Sequence, residues 1–102
     1  MTSGDIYVQV TASSKASERS RSVVVLVPRE NIENFRKQKN NRIPDDHAIA
    51  QSLAEPLARY AFTHRTIFSK FEISHSFSST PPTEIEGRSP NLSQSGLKAW
   101  AI

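Results

Sequence analysis

Five apolar residues stand in succession at Val23-Val24-Val25-Leu26-Val27, and four of the five are β-branched valines. Side chains stiff at χ1 suit a pleated strand and lose freedom in a helix. A continuous apolar run predicts a strand covered on both faces, here the centre of a small sheet with helices on at least one side. Pro28 closes it, having no N–H for the ladder. Upstream, Ile6, Val8 and Val10 alternate with Tyr7, Gln9 and Thr11, which predicts a half-buried strand over 5–11. The serine-rich stretch 12–20 is long enough to join the two strands antiparallel.

Downstream the period changes. Pro28 and Arg29 open a helix in which Ile32 and Phe35 share one side, Glu30 and Glu33 lie near its positive end, and Arg36, Lys37 and Lys39 lie near its negative end. Asn40 and Asn41 stop it. Asp45 or Asp46 caps a second helix running to about His64, with Ile49, Leu53, Leu57 and Tyr60 or Ala61 at helical spacing. Pro56 predicts a kink there, or two helices parting at Ala54 and Glu55. Period two returns over 66–77, with Ile67, Phe71, Ile73 and Phe77 on one face. The expected order is β-β-α-α-β, giving an α+β domain over residues 1–77: a mostly antiparallel three-stranded sheet with two helices. Residues 78–102 read as a Ser/Pro-rich extended tail ending in an apolar anchor, Leu97, Trp100 and Ile102. Two helices cannot readily bury both faces of the central strand, so a second chain or a tail is expected on the other face.

Composition adds limits. With 102 residues and no cysteine, the chain has room for one domain and a tail, with no disulfide or thiolate metal site. The start, Met1-Thr2-Ser3-Gly4-Asp5, lacks the blocks of a signal peptide, and no apolar run approaches the roughly 20 residues of a membrane span. The expectation is therefore a cytoplasmic protein, or one within a virion or nucleoprotein particle. His47, His64 and His75 show no metal-ligand spacing, and with three glycines there is neither a phosphate loop nor a nucleophile elbow. No enzyme, cofactor, metal or small-molecule substrate is expected.

The net charge of +3 permits nucleic acid without requiring it. Arg36, Lys37, Lys39 and Arg42 cluster at the end of the first helix, and Lys15, Arg19 and Arg21 lie in the strand connection. Both sets are candidate phosphate contacts, which position a partner without reading its sequence. The first expectation is a non-catalytic subunit of a homo-oligomeric or nucleoprotein assembly that touches RNA or DNA. The alternative is a protein-only structural or adaptor subunit anchored by its tail.

One further likeness bears on partners. Val25-Leu26-Val27-Pro28-Arg29-Glu30, then Ile32 and Phe35, Asn41-Arg42, and Asp45, Ile49 and Leu53 together resemble a ribbon–helix–helix DNA-binding unit. The resemblance implies a DNA-binding regulator whose strand pairs with its copy and enters the major groove. The chain departs from it at the strand, where valine or leucine stands in place of base-reading polar residues. Finally, Ile85-Glu86-Gly87-Arg88 matches a protease recognition tetrapeptide familiar from engineered fusions, which leaves open whether the segment is native.

Overall fold

The computed structural model describes residues 4–13, 20–38, 45–61 and 72–101. They form strands β1 (Ile6–Ser13) and β2 (Ser20–Val27), helices α1 (Arg29–Gln38) and α2 (Asp46–Ala61), strand β3 (Glu72–Ser78), a 3-10 turn (Thr83–Ile85), and strands β4 (Leu92–Gln94) and β5 (Leu97–Ala101). The architecture is α+β, but the sheet has five strands rather than three, in the order β3-β1-β2-β5-β4. Every pairing is antiparallel. The two extra strands come from the C-terminal segment expected to be an extended tail.

The valine run does lie at the centre of the sheet. Val23, Val24 and Val25 are all buried, and β2 is hydrogen-bonded to β1 on one side and β5 on the other. On the helix side, Val8, Val10, Val23, Val25 and Val27 form one core with Ile32, Ile49, Ala54, Leu57, Leu97 and Ala99. On the opposite side, Val24, Ile85 and Trp100 form a second, smaller core against Tyr7 and Leu26. The cover expected on that face comes from the chain itself. After β3 the chain crosses beneath the sheet, and its 3-10 turn sets Ile85 under Val24 before β4 and β5 join the far edge.

Local chemistry explains the joints. The β4–β5 hairpin turns on Ser95-Gly96, with φ of 55° and 87°, and Gln94 pairs with Leu97. Two successive positive φ values match the twist of antiparallel strands. Space at Gly96 is also tight, since a Cβ there would lie 3.2 Å from the Asn31 side chain, which would have to shift slightly. Asn31 Nδ2 donates to the Ser95 carbonyl at 2.8 Å and ties α1 to this turn. The start of α1 is capped from outside, with the Asp5 carboxylate accepting the Arg29 N–H at 2.8 Å. Asp45, not Asp46, caps α2, its Oδ1 accepting the His47 N–H at 3.0 Å.

Two expectations within α2 are corrected. Of the kink or division expected at Pro56, the division does not occur: α2 is one helix from Asp46 to Ala61. Pro56 and Ser52, whose carbonyl loses its helical partner, both lie on the exposed side, where water can serve that oxygen. Tyr60 does not join the buried stripe and is 73% exposed. The inward positions are Ile49, Ala50, Ala54, Leu57 and Ala58, whose small alanines let the helix lie close on the valines.

Candidate functional site

At the end of α1 the expected phosphate-binding arginine is already occupied. Arg36 donates to Asp46 and lies 3.8 Å from Glu33. Arg29 bonds the same Asp46 carboxylate at 2.8 Å and lies 3.5 Å from Glu33. Two guanidinium groups and two carboxylates thus form a closed, nearly neutral cluster that clamps the first turn of α2 onto α1. Hydrogen bonds from Arg36 and then Arg29 hold the Asp46 carboxyl below the usual carboxylate range, and Asp46 in turn raises Arg29. Stability from this depressed group is present above its unfolded value and is lost as pH falls through its folded value. Asp46→Asn should therefore cost on the order of 1 kcal/mol near neutrality. The variant should also melt with a flatter pH dependence than the parent below about pH 4. Thermal melts from pH 7 to pH 2 check both.

The other expected residues are dispersed. Lys37 is exposed on α1 and Arg21 is exposed near the start of β2, and neither has a carboxylate partner among the described residues. Lys39, Arg42, Lys15 and Arg19 lie outside the described residues. The expected anchor is not one surface. Leu97 faces the helix-side core and Trp100 the opposite core, each about 7% exposed or less, so both are used inside this chain's own sheet. The Trp100 Nε1–H donates to the Arg88 carbonyl at 2.9 Å. Ile102 lies outside the described residues.

The tetrapeptide Ile85-Glu86-Gly87-Arg88 belongs to the fold. Ile85 is 3% exposed beneath the sheet, and Arg88 reaches the Ala101 carbonyl at 3.1 Å as well as accepting from Trp100. The likeness to a ribbon–helix–helix unit ends at β2. Both edges of that strand are taken within the chain, so it cannot pair with its copy.

Two surface features were missed in the sequence. One is a hydroxyl-bearing part of the non-helix face, where Thr11 and Ser22 are hydrogen-bonded at 3.0 Å and Ser74 and Ser76 of β3 are exposed. Strand parity marks these positions once the pairing is known, not before. The other is the outer edge of β3, which has no strand partner among the described residues. Also among the described residues, no group of His, Asp and Glu is placed to hold a metal ion, and no helix is long and apolar enough to cross a membrane. A groove of about 210 Å³ lined by Leu53, Pro56, Leu57, Gln94, Ser95 and Leu97 is open and smaller than the usual small-molecule site. Comparison with protein-family models, curated proteins and solved structures returns no match to this chain.

Proposed function

We propose that this chain is a non-catalytic, nucleic-acid-associated subunit of an assembly, meeting phosphates mainly through its connecting segments rather than through α1. The observation that carries this reading is the division of charge. The described residues hold nine of the ten Asp and Glu but only seven of the thirteen Lys and Arg. Segments 14–19, 39–44 and 62–71 hold the rest, namely Lys15, Arg19, Lys39, Arg42, Arg65 and Lys70 against Glu18 alone. The acidic residues thus fall almost wholly within the described residues, and the excess positive charge falls on segments 14–19, 39–44 and 62–71.

Two of these connections share an origin. Ser13 pairs with Ser20 on one side and with Glu72 on the other, so 14–19 and 62–71 both join the sheet at the same end. Three neighbouring strands span about 10 Å, comparable with the distance over which salt screens charge at physiological strength. Arg21, exposed and one residue in from that end, adds to the same field. Such a subunit works where nucleic acid is, in the cytoplasm or within a virion or nucleoprotein particle.

The test is binding of single-stranded and duplex oligonucleotides, followed by fluorescence anisotropy across salt. Affinity should fall steeply with salt. Changing Lys15, Arg19, Arg65 and Lys70 together to Gln should reduce the log–log salt slope by about 3 to 4, or roughly 0.7 to 0.9 per lost phosphate contact. Arg36→Gln should change binding little, because Arg36 is held by Asp46. No binding to either oligonucleotide at low salt overturns the proposal and leaves the protein-only adaptor.

A further inference from the structure

β3 (Glu72–Ser78) is a full strand of seven residues at the edge of the sheet, and no other strand among the described residues pairs with its outer side. Exposed edges present unpaired backbone donors and acceptors, and proteins usually guard them with lysine, proline, a bulge or brevity. The stretch Glu72-Ile73-Ser74-His75-Ser76-Phe77-Ser78 contains no lysine and no proline. It is also as long as the interior strands require, matching β1 residue for residue from Ser13 to Tyr7. Phe77, at 37% exposure, is one of two large apolar side chains open to solvent among the described residues, and it lies on this strand.

We infer that β3 pairs antiparallel with β3 of a second copy of this chain, joining two five-stranded sheets into one of ten. The occupant follows from the strand's own symmetry. With full overlap, a two-fold axis passes through His75. Each Ile73 then stands opposite Phe77 of the other copy, each Ser74 opposite Ser76, and each Glu72 opposite Ser78. No two carboxylates face each other. The β-branched–aromatic pair is among the favourable cross-strand pairs, and it falls twice, on the helix side, where Phe77 needs cover. The His47 ring already lies 4.8 Å from the Phe77 ring on that side, so the seam would continue the helix-side layer. The symmetric register is the one in which identical faces meet. A slip of one residue would set the helix layer of one copy against the open face of the other.

The inference rests on the assembly part of the proposed function alone. Failure to dimerise would leave phosphate contact standing, and failure to bind oligonucleotide would leave the seam standing.

The experiment uses the full chain and places charge where the isolated chain tolerates it. Ser74 and Ser76 are exposed and face each other across the seam. A seven-residue seam is a small interface, so sedimentation velocity is run from about 5 to about 500 µM. The parent chain should approach twice its 11.4 kDa mass as concentration rises. The S74K/S76K variant should remain a monomer, as should S74E/S76E. An equimolar mixture of the two should recover a 1:1 dimer, because each lysine then meets a glutamate. Recovery also shows that both variants are folded. A parent chain that stays monomeric at the highest concentration overturns the inference, and so does a dimer that persists in both charged variants. Loss of dimer in the variants without recovery in the mixture overturns the symmetric register.

Discussion

A chain ending at Ser78 should not fold, although residues 1–77 contain both helices and the valine strand. Cutting there removes β4, β5 and the 3-10 turn. The edge of β2 that pairs with β5 between Val23 and Leu26 would be left open. Leu97 and Ala99 would leave the helix-side core, and Val24, now fully buried, would lose both Ile85 and Trp100. Burial of a large apolar side chain contributes about 1.5 to 3 kcal/mol. Ile85, Leu97 and Trp100 together therefore contribute on the order of 5 to 9 kcal/mol, within the usual range of a whole domain's stability, about 5 to 15 kcal/mol. Circular dichroism of the truncated chain should show no cooperative thermal transition. A sharp melt with native-like β signal would mean that residues 78–102 are a dispensable tail after all.

Trp100→Ala should produce the largest effect of any single substitution on the non-helix face. Trp100 is 7% exposed, lies against Val24 and Ile85, and holds the Arg88 carbonyl through its indole N–H. Removing a buried tryptophan costs about 3 to 5 kcal/mol. For a domain of this size that lowers the melting temperature by more than 10 °C, at roughly 4 to 8 °C per kcal/mol. Trp100→Phe keeps most of the buried ring and should cost less than half as much. A second readout is local. With Ile85 buried, a protease that recognises Ile85-Glu86-Gly87-Arg88 should cut the parent chain slowly. It should cut the Trp100→Ala chain many times faster, because the crossing segment has lost its anchor. Equal cutting rates would show that Trp100 does not hold that segment down.

These two results bear on how the sheet is completed, and that is where sequence reasoning ran short. The β4–β5 turn was in plain sight as Ser95-Gly96, a dipeptide suited to a two-residue hairpin. Its strands were hard to see. Leu92–Gln94 is only three residues long, and Leu97–Ala101 places two alanines beside Leu97 and Trp100, which hides the alternation. The ion pairs of Arg36 were hidden for a different reason. Arg36 sits in a basic run, and only the docking of α2 brings Asp46 to it. A charge run read along the chain cannot reveal an acid contributed by the next helix.

What the sequence determined by itself is what short-range sterics and periodicity control. The alternation of Ile6, Val8 and Val10, the unbroken valines, the stops at Pro28 and at Asn40 and Asn41, and the capping aspartates identify the first two strands and both helices in order. The doubly covered centre was also legible, because a strand with apolar residues on both faces has to be buried on both. Tertiary structure alone decided what covers it. Val24 meets Trp100 across the sheet from the far end of the chain, and Ile85 reaches it from the crossing segment. Pairing over such separations depends on the summed burial and hydrogen bonding of the whole sheet, which no local window contains. The same global closure leaves β3 at the edge of the sheet among the described residues and brings Ser13, Ser20 and Glu72 to one end of it.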